Sequence, residues 1–500
     1  MTEVPSAPIH ARDLLVEGGV SLCAATLFTL SCLHIDVDPQ ERLGQISGLA
    51  SLGLRFTIAT IVLVIALTVA SRWRGGVAFA TTARLACAAL AGLASAFVAG
   101  GIIVALHGTS WGLNGAAGDA GNLIRWSRGL DVSDAYPPLG PKILGWYTDL
   151  FGFRTEYALK HLQIMGTAAL GPCTYLAWRL LLRPAWALGI GGVASLPLLE
   201  AAPYKPYALI VLVALVPLLV RFLDELRTSE RRSRLASARR GLAFGVVFGV
   251  LFLLYSGWFQ WAAPGVIVAT LVLFPWRQAA GSALVLVGGA ATTFLAITGS
   301  YLIGVLSSSA LADQYAYFDV FTEPAYIAMW KGDLPGPLPM WPPFGELGGV
   351  GVFTLVVIVG FGAAVALGRG RTLVISVAAI MAGAWLLRFW YASQMFDTRL
   401  VQLYPRTTAL ILYCLLVLAG FAVYLLVERH RQAAAESPIH SSSGLIGAIC
   451  ALALLFGSAA SSISNAYMPR DTFPHSYGRL AWTAHHPKQF KWGHLPPRRK

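Results

Sequence analysis

About thirteen apolar stretches, each close to the length of helix that crosses a bilayer, constrain this chain more tightly than any motif in it. Roughly 20 residues of helix cover the hydrocarbon core, and backbone groups immersed there must be paired within the protein. The stretches fall at 14–34, 50–70, 83–106, 160–182, 184–200, 206–223, 241–257, 262–276, 279–305, 348–368, 372–390, 407–427 and 443–461. Boundaries are softest at 184–200, which holds a Gly-Ile-Gly-Gly run and Pro197, and around 256–265, where one broken helix fits as well as two. Of 500 residues, 56% are hydrophobic and 12% charged, with a mean hydropathy of +0.64, which excludes a soluble globular protein. The expectation is an all-α polytopic membrane protein, with one transmembrane domain over 1–461 and a short, basic, external tail over 462–500.

The net charge of +13 invites a nucleic-acid reading, but the placement of the charges argues against it. Basic residues gather at 71–76, 179–184, 221–240, 275–278, 368–371 and 428–432, and all six segments share one side when the spans are counted. The positive-inside rule puts that side in the cytoplasm, together with the N-terminus, in a multi-pass plasma-membrane protein surrounded by lipid. The first run lacks a small-residue cleavage site and reads as an uncleaved span. The outer face then receives 35–49, 107–159, 201–205, 306–347, 391–406 and the tail. The six cysteines lie in or beside apolar runs, without a Cys-x-x-Cys, and read as small core residues.

Two external loops, 107–159 and 306–347, are longer than connections need be and carry aromatics and prolines. The stretch from His107 to His161 gathers Asp119, Asp131, Asp134 and Asp149 with Arg125, Arg128, Lys142, Arg154 and Lys160 among tryptophans and tyrosines. In a chain with so few charges this reads as a working surface. Asp119 sits in Gly-Ala-Ala-Gly-Asp-Ala-Gly, where small neighbours let a substrate approach the carboxylate, and such an acid can take a proton from a sugar hydroxyl. It reads equally as the N-cap of a helix starting near Ala120, a role compatible with the first. Asp131 and Asp134 have turn chemistry, and Tyr136-Pro137-Pro138 gives a rigid extended edge.

Cations suited to a phosphate stand on the same face: Arg125, Lys160 beside His161, Lys205, Arg399 and Arg406. Arginine offers a planar fork and lysine a point charge, although basic residues near span ends also snorkel toward headgroups. Glu200, where a span meets Ala-Ala-Pro-Tyr-Lys, reads as an ion pair with Lys205 or as a functional acid. The aromatic clusters at 258–261, 315–321 and 388–391 suit interfacial belts and sugar platforms alike. No P-loop, dinucleotide fingerprint or Gly-x-Ser-x-Gly is present, and His485-His486 has no ligand at metal spacing, so neither nucleotide chemistry nor a metal centre is expected. A transporter would show internal repeats and matched broken helices, which are missing; a scaffold would not need this crowd of charges on one face.

Three spans, an external loop with an early aspartate, a Tyr-Pro-Pro and a many-spanning body resemble the galactan arabinofuranosyltransferases of actinobacterial cell-wall synthesis. The resemblance runs from about residue 84 to residue 480. Its anchors are Asp119 through Arg125 to Tyr136-Pro137-Pro138, then Trp146 and Lys160; Glu200 with Pro206-Tyr207-Ala208, here with Ala-Ala-Pro-Tyr-Lys interposed; Arg399 and Arg406-Thr407-Thr408; and Tyr477-Gly478. The segment after Ser461 is too short for the sizeable soluble C-terminal domain of the mycobacterial members, which leaves the acceptor open.

The resemblance implies a C-type glycosyltransferase architecture with its site at the outer face. It implies transfer of arabinofuranose, with inversion, from decaprenylphosphoryl-arabinofuranose to a galactan-type cell-wall polysaccharide, the polyprenyl-phosphate sugar serving as co-substrate. Asp119 would be the base; Arg125, Lys160, Lys205, Arg399 and Arg406 would hold the donor phosphate. Tyr136, Trp146, His161, Glu200, Tyr207 and Tyr477 would contact substrate. A C-type mannosyl- or other pentosyltransferase with the same base is the nearest alternative, followed by a lipid or polysaccharide transporter.

Overall fold

The computed structural model describes residues 11–73, 75–130, 136–200, 204–277, 279–307, 313–314, 352–398, 400–401, 406–433, 442–471 and 477–487. Each apolar stretch read from the sequence falls on helix. Among the described residues, nine helices are long and apolar enough to cross a membrane. Three more apolar segments, Pro184–Leu199, Gly257–Leu273 and Leu355–Leu367, are shorter. Near residue 256 the choice falls on two helices, one ending at Leu254 and the next starting at Gly257. The contacts divide the chain into two compact units.

The unit that carries the loop at 107–130 holds, of the described residues, 11–130, 140–213 and 442–487. Its helices are α1 (Ala11–Cys32), α2 (Arg42–Trp73), α3 (Gly75–Ala105), α4 (Gly118–Ser127), α5 (Leu139–Phe151, from Gly140 on) and α6 (Thr155–Arg179). A broken segment follows: α7 (Pro184–Trp186), a π-helical turn (Ala187–Gly192), α8 (Val193–Ser195) and a 3₁₀ turn (Pro197–Glu200). Four successive pieces of three helical kinds in one short segment fit its glycines and Pro197, which weaken the regular ladder. The start of α9 (Pro206–Arg227), α17 (Ser442–Ala466) and α18 (Tyr477–His485) complete the unit.

The apolar window of α3 is wholly buried, with α1, α2, α6 and α17 packed around it. Its run of alanines and glycines lets neighbours approach to backbone distance, the packing mode that serves where lipid removes the hydrophobic drive between helices. A Cβ on Gly92 would lie 2.1 Å from the Ser21 carbonyl oxygen of α1, and one on Gly171 of α6 would lie 2.0 Å from that of Ala91. Phe28, Phe56 and Phe97 close the α1–α2–α3 junction, with ring centroids 5.3–6.5 Å apart.

The other unit holds 136–139 and 214–433 of the described residues. It contains the rest of α9, α10 (Arg234–Leu254), α11 (Gly257–Leu273), α12 (Ala280–Ser307), α13 (Val352–Leu367), α14 (Thr372–Ser393), α15 (Met395–Thr398) and α16 (Thr407–Ala433). A two-residue antiparallel ladder pairs Asp313–Gln314 with Leu400–Val401. On α10, Gly241, Gly245 and Gly249 recur every fourth residue, and the first two press against Leu286 and Ala290 of α12. Buried Glu225 gathers Arg221, Arg232 and Arg240, which fastens the basic turn between α9 and α10. Most of the second long loop, 306–347, lies outside the described residues.

One ion cluster ties the first unit together at the end of α6 remote from Lys160. Glu17 of α1 is fully buried; Arg179 of α6 donates to it through Nε at 2.6 Å and Nη2 at 3.0 Å, and the Tyr175 hydroxyl donates at 2.8 Å. Arg84 of α3 pairs with Asp13 at 2.6 Å and approaches Glu17 at 3.6 Å. Removing one partner strands a buried charge, which is costlier than never having had the pair. Arg179→Ala should therefore lower stability by about 3–5 kcal/mol, read as thermal unfolding in detergent, whereas Arg179→Leu combined with Glu17→Leu should lose far less.

Candidate functional site

The site is built from the end of α3 outward. A helix terminus leaves carbonyls without intrahelical partners, and they must be met by donors from elsewhere. Lys160, near the start of α6, donates to the carbonyls of Leu106 at 2.8 Å and Thr109 at 2.7 Å. His485, from α18, bonds the Ala105 carbonyl through Nε2 at 2.8 Å. A cation at a helix C-terminus also complements its dipole.

The chain then turns through residues that sit on the positive side of φ: Gly108 at 79°, Asn114 at 70°, Gly115 at 53° and Gly118 at 49°. Asn114 is the one non-glycine there among the described residues. Two partners grip this turn. From α6, the buried Gln163 carboxamide accepts from the Leu113 amide at 2.7 Å and donates to the Leu113 carbonyl at 3.4 Å and the Tyr204 carbonyl at 3.3 Å. From α18, the Leu480 carbonyl accepts from the Asn114 amide at 2.9 Å and the Ala484 carbonyl accepts from the Thr109 hydroxyl at 2.8 Å.

The turn launches α4. Its N-cap is Ala117, with no side-chain cap bond, so Asp119 is not the cap that its position before Ala120 suggested. Asp119 lies in the first turn, where the helix dipole favours a carboxylate. Lys205 Nζ stands 2.6 Å from Asp119 Oδ2; the lysine side chain is 8% exposed and the aspartate 32%. The acid is held by a buried cation while keeping an open side. Lys205 thus pairs with Asp119; the side chain of Glu200, the acid expected beside this lysine, lies outside the described residues. Pro206 begins α9 directly after the lysine and packs against Gly166 of α6, which fixes where Lys205 starts.

The remaining expected residues distribute unevenly. Arg125 is six residues beyond Asp119 on α4, roughly 120° around the helix, while Asn122 and Trp126 share the aspartate's side. Lys160 and His161 stand side by side near the start of α6, the lysine committed to backbone carbonyls and His161 3.3 Å from the Tyr147 hydroxyl, among Phe153 and Tyr157. Trp146 is exposed on the outward side of α5. The Tyr207 ring meets Gly140 at the start of α5, and Tyr477 opens α18 with its ring 5.7 Å from Tyr467. Tyr136 and the exposed Arg406 belong to the other unit; Arg399, Asp131 and Asp134 lie outside the described residues.

Asn114, Gln163 and the tail helix were not singled out from the sequence. Asn114-Gly115 is a turn dipeptide and could have been read as one. Gln163 had no local signal beyond being an amide at the polar start of an apolar run.

No protein family matches this chain, and no curated protein does. Fold and site define a helical, multi-pass membrane protein in which an acid on a short helix beyond the end of α3 pairs with a lysine at the start of α9.

The tail's attachment should respond to pH. Burial, with help from His486 and Lys160, lowers the His485 pKa, against the Ala105 carbonyl and Asp38, which raise it. The docked tail therefore binds protons less readily than the released one, whose histidine titrates near 6.5. Docking should be undiminished above that pH and weaken as the pH falls through and below it. Amide protection factors across Tyr477–His485 measured between pH 7.5 and 5 should fall, and His485→Gln, which keeps a donor without the titration, should flatten that dependence.

Proposed function

We propose that this chain is an inverting glycosyltransferase that moves arabinofuranose from a polyprenyl-phosphate donor to a galactan-type cell-wall acceptor at the outer face of the plasma membrane. The single observation that carries the reading is the Asp119–Lys205 pair: a partly exposed carboxylate, backed by a buried ammonium, on a helix flanked by glycine and alanine. In this reading the acceptor hydroxyl gives its proton to Asp119 as its oxygen attacks the anomeric carbon. The new carbon–oxygen bond forms on the face opposite the donor linkage, and the polyprenyl phosphate departs with the electron pair of the bond that breaks. The transition state has oxocarbenium character, so the cation nearest the departing phosphate does most where charge develops.

Lys205 has two duties here. It orients Asp119, and its ammonium lies where a phosphate beside that carboxylate would meet positive charge. Arg125 supplies charge from a different side of α4. Small residues around Asp119 leave room for a sugar ring, and Trp126 and Asn122 on its side of α4 offer a stacking surface and an amide.

With a polyprenyl-phosphate arabinofuranose as donor and a galactan oligosaccharide as acceptor, Asp119→Asn should reduce transfer at least a thousandfold (on the order of the general-base contribution) without lowering membrane insertion. Lys205→Met should lower it on the order of a hundredfold, with partial recovery in Lys205→Arg. Near wild-type transfer by the purified Asp119→Asn protein would refute the reading.

A further inference from the structure

We infer that the tail helix α18 is a positioning element of the Asp119 site, acting through Asn114, whose left-handed backbone conformation it holds. This rests on the proposed role of Asp119 for its catalytic meaning, while the positioning itself is a matter of backbone geometry.

Three observations converge. Asn114 has φ of 70°, a conformation that L-residues other than asparagine, aspartate and glycine rarely adopt, and it stands five residues ahead of Asp119. Such backbone is retained only where surroundings over-determine it. The surroundings here come from the far end of the chain: the Leu480 carbonyl accepts the Asn114 amide at 2.9 Å, and the Thr483 carbonyl lies 3.0 Å from where a Cβ on Gly115 would be. Within the turn, the Asn114 carboxamide donates to the Ala117 carbonyl at 2.9 Å, and the Ala117 amide donates to the Asn114 carbonyl at 2.9 Å. Ala117 is the N-cap of α4, so one residue connects the tail to the start of the helix that carries the acid.

The tail is built to reach this place. Residues 467–471 turn back from α17, with the Tyr467 hydroxyl on the Leu199 carbonyl and the Pro469 carbonyl on the Gln45 carboxamide. Gly478, Leu480, Ala481, Thr483 and Ala484 are buried, while Arg479 stacks on Trp482 from outside. A small, apolar inner side and a braced outer side suit a helix that stays docked. Lys205 fixes the carboxylate and Gln163 fixes Leu113, so α18 supplies the third hold, on the turn between them.

The test uses the full-length protein in lipid nanodiscs. Asn114→Val, which cannot settle at positive φ, and Ala481→Asp, which places a charge in the docked face, should each raise amide exchange across Ala117–Ser127 by about tenfold or more. Asn114→Gly, which keeps the conformation, should leave exchange within about twofold of wild type. In transfer assays Asn114→Val should lower kcat about a hundredfold with the donor KM unchanged, and Asn114→Gly should restore most of it. Unchanged exchange in α4 for both Asn114→Val and Ala481→Asp would overturn the inference even if Asp119→Asn abolished transfer. Raised exchange together with normal transfer by Asp119→Asn would uphold the positioning and remove only the reaction assigned to the acid.

Discussion

In hydrocarbon every backbone amide and carbonyl must be paired inside the protein, because no water stands ready to replace a missing partner. That requirement makes the long apolar runs of this chain helices, and it also decides where polar chemistry can sit. Each helix end releases several backbone groups at once, so each end becomes a place where donors and acceptors from distant parts of the chain are gathered. The end of α3 is such a place. Ala105, Leu106 and Thr109 offer carbonyls there, and His485 and Lys160 come from α18 and α6 to meet them. The turn that carries the chain on to Asp119 begins from that anchored point.

The acid–lysine pair follows the same economy of burial. An ammonium only 8% exposed is stable only beside a countercharge, and Asp119 is within hydrogen-bond distance of it. Geometry then does two things at once: it neutralises Lys205 and it fixes which way the carboxylate points. Replacing the carboxylate removes the countercharge of buried Lys205 whatever takes its place; asparagine keeps the shape and an oxygen that can accept from the ammonium, so it disturbs the site less than a truncation would. At the opposite end of α6, the Glu17–Arg179–Tyr175 cluster applies the same rule with no open side at all, since Glu17 is wholly buried. One pair is partly open and stands beyond a helix end; the other is sealed between three helices. Exposure separates a candidate for chemistry from a clasp.

Much of this was legible in the residues. The apolar runs marked the helices, because their length is dictated by bilayer thickness and helix rise. The polar stretch after the third of them drew attention for its charge in a chain that has little, and Asp119 stood out for its small neighbours. The broken character of 184–200 was visible in its glycines and Pro197, and the structure gives that segment four successive pieces of three helical kinds. Legibility stopped at partners. Nothing in the sequence around Lys205 pointed to Asp119, which α4 brings to it. Asp119 before Ala120 read as a helix cap, whereas the helix begins two residues earlier, at Gly118, and the carboxylate meets Lys205 instead. Lys160 read as a ligand for phosphate, and nothing local showed that its ammonium also donates to the carbonyls of Leu106 and Thr109.

Sequence alone determined that this is a helical protein of many membrane spans, because hydrophobic length and backbone pairing are properties of short segments and need no knowledge of neighbours. Tertiary structure alone decided that Asp119 is held by Lys205, that Gln163 and the carbonyl of Leu480 clasp the turn before it, and that the last helix belongs to the same compact unit as the first loop. Hydrogen bonds and ion pairs are fixed by proximity at a few ångströms, and residues far apart in the chain reach that range only after α3, α6 and α17 have packed. No local pattern in the chain encodes that distance.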